Sequence, residues 1–293
     1  MSVAAAPLFR FVQVEYPWAL GPADGRYVLR GHAGVPTHVL MLATLGSAER
    51  RGLLGRGQRK PRPAPPGADP ALVVTARATL VAAEAFDSHA EAKRWREEVD
   101  GEAEASGALG VLNRVLHVHR IAAADPYVRE LHRDAALVVR LGVGEGEGLA
   151  HGRWTAAVEL APRQALRAYA SRSAAMLRPQ ERLAAVLGGR DVALACEELT
   201  LRARSDVDAG RTREAALQLR VALESALAEL APWSDREAVA RRTDELAEER
   251  APVAAAANMA IDGGLDEATV EDVVRVLGLL EAALRARTGV GLE

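Results

Sequence analysis

The sequence predicts an α+β fold, with a small antiparallel sheet and helices over residues 1–160 and an antiparallel helical bundle over 161–293. Three observations carry this. Near the N-terminus, aromatic and β-branched residues partly alternate with polar ones, the period of a half-buried strand. Between Ala216 and Leu284, apolar residues recur at 3-4-3-4 spacing, the period of helix faces. Of the 293 residues, 49% are hydrophobic and 26% charged, enough apolar material for a packed core and too much for global disorder.

Taken in order, Phe9 to Tyr16 reads as a strand that Pro17 ends, since proline cannot donate to a ladder. Asp24-Gly25 supplies turn residues, Arg26 to Gly31 the returning strand, and Val39 to Thr44 a third. Gly55 to Pro70 holds Pro61, Pro63, Pro65, Pro66 and Pro70 and excludes a helix or central strand, so it reads as a linker or long loop. Leu72 to Val81 resumes strand character. Ser88 with Glu91 forms a capping box that opens a helix over His89 to Ala105, and a second helix covers Leu109 to Ala124. Asp125-Pro126 has the residues of an N-cap and first helical position, which predicts a further short helix. Ala135 to Leu141 reads as a strand, and the glycine-rich Gly142 to Gly148 as a mobile turn.

From Thr155 onward the strong signals are helical. Ser234 with Glu237 repeats the capping box, and Gly263-Gly264 stops one helix before Asp266 caps the next. Ala216, Leu219, Leu223, Ala226 and Leu230 make one apolar face; Val270, Val273, Leu277, Leu280 and Leu284 make another. Leu217, Val221 and Leu227 widen the first face, and Val274, Val276 and Leu279 the second. Width of this kind favours the interior of a bundle over a two-stranded zipper.

Composition narrows the function classes. With 60 alanines and only 4% aromatics, the core must be Ala, Leu and Val. A net charge of −3 excludes a generally basic nucleic-acid binder. One cysteine, Cys196, excludes an internal disulfide framework and a Cys-rich zinc module, and its apolar neighbours make it a core residue. No apolar run approaches the roughly 18 residues of a membrane helix, and Met1 to Phe9 has no basic leader pattern, so no membrane partner and a cytoplasmic location are expected. Charge is also segregated. Residues 50–68 carry six cations and no acid, whereas 191–293 carry 12 arginines against 21 acids.

Several residues are candidates for chemistry. His117 and His119 form an H-x-H pair, with His132 or His151 as a third ligand. On a helix two residues turn about 200°, so the pair diverges and no metal is expected. Gly142 to Gly148 lacks the spacing of a phosphate loop and carries Glu145 and Glu147, so no cofactor is expected there. Trp18, in a Pro-Trp-Ala-Leu-Gly-Pro loop beside Tyr16 and Tyr27, could anchor a partner or pack across the first hairpin. Arg56, Arg59, Lys60 and Arg62 form a basic partner-binding segment.

Arg114 and His119 match R-x4-H, which resembles the ribonuclease signature of HEPN-type helical proteins, with Val115 where a polar residue is usual. The resemblance implies RNA cleavage by Arg114 and His119, converging with those of a second copy. The expectation from the whole sequence is a non-enzymatic interaction or regulatory protein with an acidic bundle and a basic linker. It takes a protein partner or self-associates, nucleic acid being disfavoured. The alternative is an enzyme, either a HEPN-like ribonuclease using Arg114 and His119 or a hydrolase whose signature the sequence does not reveal.

Overall fold

In a computed structural model, residues 6–31, 34–46, 74–161 and 177–290 are described. The basic segment with Arg56, Arg59, Lys60 and Arg62 lies outside them. The chain divides into two units, Met1–Ala170 and Ser171–Glu293. The α+β class is as the sequence predicts, with a six-stranded antiparallel sheet in the first unit and helices dominating the second.

Strand β1 (Phe9–Tyr16) turns Val12, Val14 and Tyr16 to one face, all buried. It is followed by β2 (Gly25–Arg30), β3 (Pro36–Leu45), β4 (Thr75–Ala85), β5 (Val138–Gly144) and β6 (Ala156–Glu159). Their order across the sheet is β2-β3-β4-β1-β5-β6, with every neighbouring pair antiparallel. The first two strands are therefore not a hairpin: β1 sits inside the sheet between β4 and β5, and β2 is at its edge. Asp24 explains the turn residues differently. Its carboxylate accepts from Thr44 N at 2.8 Å and Thr44 Oγ1 at 2.9 Å, tying the entry of β2 to the exit of β3.

Two helices, α1 (His89–Glu98) and α2 (Gly101–Ala122), follow β4. The Ser88 hydroxyl accepts from Glu91 N at 3.1 Å, as the capping pattern requires. The long first helix expected from the sequence instead breaks at Val99, where the Asp100 carboxylate caps α2 by accepting from Glu102 N and Ala103 N. Ala105, Ala108, Leu109, Leu112 and Leu116 lie on one side of α2 and share a core with Val12, Val14, Tyr16, Leu40, Leu80 and Leu141. After α2 the chain turns rather than restarting a helix: the Asp125 carboxylate accepts from Tyr127 N at 2.9 Å and closes an Asx turn.

The opposite sheet face carries Phe11 and Val81, packed with Leu149 and Trp154. Beside them Gln13 donates to Thr79 Oγ1 at 2.8 Å, both side chains buried. Glu15 bridges Arg77 at 2.7 Å and Arg140 at 3.2 Å, and Arg140 reaches Glu159 on β6 at 3.0 Å. Gly142 and Gly144 belong to β5 rather than to a turn. A Cβ on Gly142 would stand 2.1 Å from the Ala156 carbonyl oxygen, so β6 can approach only a glycine there.

In the second unit the helices are α3 (Leu177–Leu187), α4 (Ala195–Asp208), α5 (Thr212–Glu229), α6 (Glu237–Glu248), α7 (Arg250–Asp262) and α8 (Glu267–Val290). Leu219, Leu223, Leu277 and Leu280 are core residues, as their spacing requires, and buried alanines such as Ala215, Ala222 and Ala257 let backbones come close. The widened faces follow inward only in part: Val276 is buried in the core and Leu227 and Leu279 pack against it, while the other three stay outside. Leu217 is 39%, Val221 54% and Val274 37% exposed, because a bundle helix buries only the stripe its neighbours reach. Ser234 is not a cap. It ends a short 3-10 turn at Ala231–Trp233, and α6 starts after Arg236 without a side-chain cap. Gly263, at φ 142°, ends α7, and Asp266 accepts from Thr269 N at 2.8 Å to cap α8.

Candidate functional site

Two cavities in the first unit meet at Arg10. Alternation places Arg10 on the face of β1 that also carries Val12, and His38 on the corresponding face of β3 beside Ala82 of β4. Because Ala82 is short, a hollow opens between the arginine and the histidine. Leu80 and Val12 line its sides, and Glu104, Gly107, Ala108 and Val111 of α2 close over it, leaving about 240 Å³. The second cavity, about 390 Å³, lies between the ends of β1 and β4 and α1. Its walls carry Glu84, Asp87, Glu91 and Glu98 against Arg10 and Arg94. Phe86 and Trp95 form an aromatic pair there, with ring centroids 5.6 Å apart.

Three charged or titratable groups line the smaller cleft, Arg10, His38 and Glu104, and the charge of Arg114 reaches His38 from outside its lining. Burial lowers the His38 pKa, and the Arg10 and Arg114 charges lower it further, against a weaker opposing pull from Glu104. The imidazole is therefore neutral near pH 7, able both to donate and to accept.

The second unit holds a different polar cluster at the N-terminus of α4. Arg287, 3% exposed, bonds Asp191, Glu197 and the Val192 carbonyl and stacks 4.5 Å over the Trp233 ring. Arg182 grips the same two carboxylates, with its Glu197 contacts at 2.6 and 2.7 Å. Leu194 precedes α4 and has no acceptor, so Glu229 at the end of α5 takes that role, accepting from Cys196 N at 2.9 Å and Ala195 N at 3.3 Å. Burial works to raise the Glu229 carboxyl. The Cys196 amide and thiol, the Ala195 amide and the Arg287 charge outweigh it and hold the group below the usual range. Burial, reinforced by Glu229, pushes the Cys196 thiol up to about 12. That thiol is unreactive at neutral pH, in keeping with a core residue.

Charges on the bundle surface are not balanced. Every arginine of 191–293 except Arg236 has a partner within the bundle, as in Arg204–Glu281, Arg250–Glu224 and Arg275–Glu249. Glu237, Asp244 and Glu248 have no ion-pair partner among the described residues, and their 7- and 4-residue steps align them on one exposed stripe of α6. Glu267 and Glu271, one turn apart at the start of α8, are in the same state.

The residues singled out from sequence are dispersed. His117 and His119 both lie on α2 and so point about 200° apart. His119 packs on the loop after β1: a Cβ on Gly21 would come within 2.9 Å of its Cδ2. Arg114 is exposed and acts on His38 instead, since five residues along α2 separate it from His119 by about 140°. His132 contributes its carbonyl, which accepts from the Tyr16 hydroxyl at 2.9 Å. His151 ends a 3-10 turn. Among the described residues no three His, Cys, Asp or Glu side chains converge as a metal site needs. Trp18 is half-buried on the Tyr16 ring, centroids 4.9 Å apart, with its indole N–H buried and without a hydrogen-bond partner among the described residues. Sequence reasoning missed Arg10, His38, Glu104 and Glu229, which have no local motif. No family model, no curated protein and no solved structure matches the chain.

Proposed function

We propose that this is a non-enzymatic interaction protein whose acidic helical bundle docks a basic polypeptide segment, its own in a second copy or a partner's. The observation that carries the reading is the commitment of the bundle's arginines to internal partners. It leaves Glu237, Asp244 and Glu248 of α6 and Glu267 and Glu271 of α8 without ion-pair partners among the described residues, with the exposed Arg241 standing in the α6 stripe and paired to Glu245 only at 4.0 Å. A stripe at i, i+7 and i+11 spans about 16 Å along a helix, a length suited to several side chains of an extended or helical basic segment. Residues 50–68, with six cations and no acid, have the right sign. Such contacts favour encounter and specificity over affinity, so weak, salt-sensitive binding is expected. A cytoplasmic setting belongs to the same reading, supported by one free, buried cysteine. Among the described residues no helix is long and apolar enough to cross a membrane. The ribonuclease alternative requires a second copy to complete its site, since Arg114 and His119 lie on different sides of α2.

The test uses a labelled peptide of residues 50–68. The receiver is the full chain with its six cations of that segment changed to glutamine, so that it cannot occupy its own site. Saturable binding that weakens at least tenfold in Glu237→Gln/Asp244→Asn/Glu248→Gln supports the reading. Binding indifferent to the α6 changes and to those at Glu267 and Glu271 rejects it.

A further inference from the structure

We propose that the cleft between β1, β3, β4 and α2 is a binding site for a small monoanionic acid with an apolar body, its carboxylate held between Arg10 and His38. The site is distinct from the bundle surface and stands or falls independently of it. Sheet register makes the opening: His38 pairs with Ala82, and the short alanine leaves Arg10 and His38 facing each other across a gap. The roof is equally open, because a Cβ added to Gly107 would meet no atom within 4 Å. Neither Arg10 nor His38 makes a hydrogen bond or ion pair among the described residues, so the donors of both are available.

Charge sets the valence of the occupant. Arg10 and Glu104 line the cleft with opposite charges, and the Arg114 guanidinium, outside the lining, also acts on the neutral imidazole, so the charges acting there sum to one positive charge that a monoanion cancels. A polyanion is disfavoured, because Glu84, Asp87, Glu91 and Glu98 line the adjoining cavity on the other side of Arg10. Val12, Leu80, Ala82, Ala108 and Val111 supply an apolar lining that inorganic anions cannot use. A volume of about 240 Å³ is below the roughly 300–1,000 Å³ of sites for drug-sized ligands, which limits the occupant to a small acid.

Benzoate is the probe, and benzamide, nearly its shape but uncharged, is the control. Calorimetric titration of the full chain should give saturable benzoate binding in the millimolar range or tighter, with benzamide and inorganic phosphate at least tenfold weaker. Arg10→Gln should weaken benzoate at least tenfold. Gly107→Leu fills the cleft without removing a charge, and replacing a helical glycine favours the fold, so it should abolish binding without lowering the melting temperature. A second readout is the His38 imidazole NMR signal, assigned with His38→Gln. Its titration should move to higher pH when benzoate is bound, because the anion offsets the Arg10 and Arg114 charges while Glu104 is unchanged. Absence of saturable benzoate binding at millimolar concentration overturns the proposal. So does equal affinity for benzamide, or unchanged affinity in Gly107→Leu.

Discussion

Replacing Arg287 with methionine should destabilise the helical unit by about 3 kcal/mol, at the lower end of the 3–5 kcal/mol typical when one partner of a buried ion pair is removed. Arg287 is 3% exposed and holds Asp191, Glu197 and the Val192 carbonyl while stacking over Trp233. The lower end applies because Arg182 keeps its contacts with both carboxylates, so neither is left unpaired. What goes is one guanidinium's share of the pair, the hydrogen bond to the Val192 carbonyl (about 1 kcal/mol) and a cation–π contact of roughly 0.5–1 kcal/mol or more. Urea titration followed by far-ultraviolet circular dichroism measures the change, and for a domain of this size the melting temperature should fall by roughly 10 °C. Arg287→Lys should recover only part of the loss, since an ammonium cannot reach three acceptors in one plane. A loss below about 1 kcal/mol would refute the reasoning, because the cluster would then be no more than surface pairing.

Leu223→Ala and Leu277→Ala, at two positions buried in the bundle core, should each cost about 2–5 kcal/mol in the same titration; melting within a degree or two of the parent contradicts their placement. Gly142→Ala should detach β6 and lower the melting temperature of the sheet unit, because its Cβ would stand 2.1 Å from the Ala156 carbonyl, whereas Gly107→Ala should be neutral or stabilising. Acid should weaken the bundle. Burial raises the Asp191 and Glu229 carboxyls, but the backbone amides and arginines they face outweigh it and hold both below the usual range. A depressed folded pKa gives stability that is complete above the unfolded values near 4 and is lost as pH falls through the folded ones. Thermal melts between pH 7 and pH 2 should therefore fall steeply only at the acid end, with a shallower fall in Glu229→Gln.

Local chemistry was legible and long-range pairing was not. Phe9–Tyr16, the Ser88 cap and the Leu219–Leu223 and Leu277–Leu280 faces are each determined by residues within a turn or two of one another. The β1–β2 hairpin failed because Asp24 and Gly25 specify that the chain turns, not which strand it then meets. The break at Asp100 carried a readable N-cap signal that continuing helical character on both sides obscured. Ala156-Ala157-Val158-Glu159 has too little β-branched character to announce β6, and Gly142 looks like a turn residue until β6 is laid against it. The cleft was illegible for a stronger reason: Arg10, His38 and Glu104 come from three elements, and only sheet register and the packing of α2 on the sheet bring them together. Glu229 serves a helix that starts 34 residues earlier in the chain.

The central claim, that the bundle's free carboxylates recognise a basic polypeptide, is tested most directly by fluorescence anisotropy. The 50–68 peptide is titrated against the receiver with its six cations changed to glutamine, and a single-stranded RNA against the unaltered full chain, each at low and moderate salt. The account predicts that the peptide binds at low salt and weakens as surface charges are screened within about 8–10 Å, while the RNA does not bind. RNA binding whose logarithm falls with log salt at about −0.7 per phosphate contact, alongside no peptide binding, would contradict it.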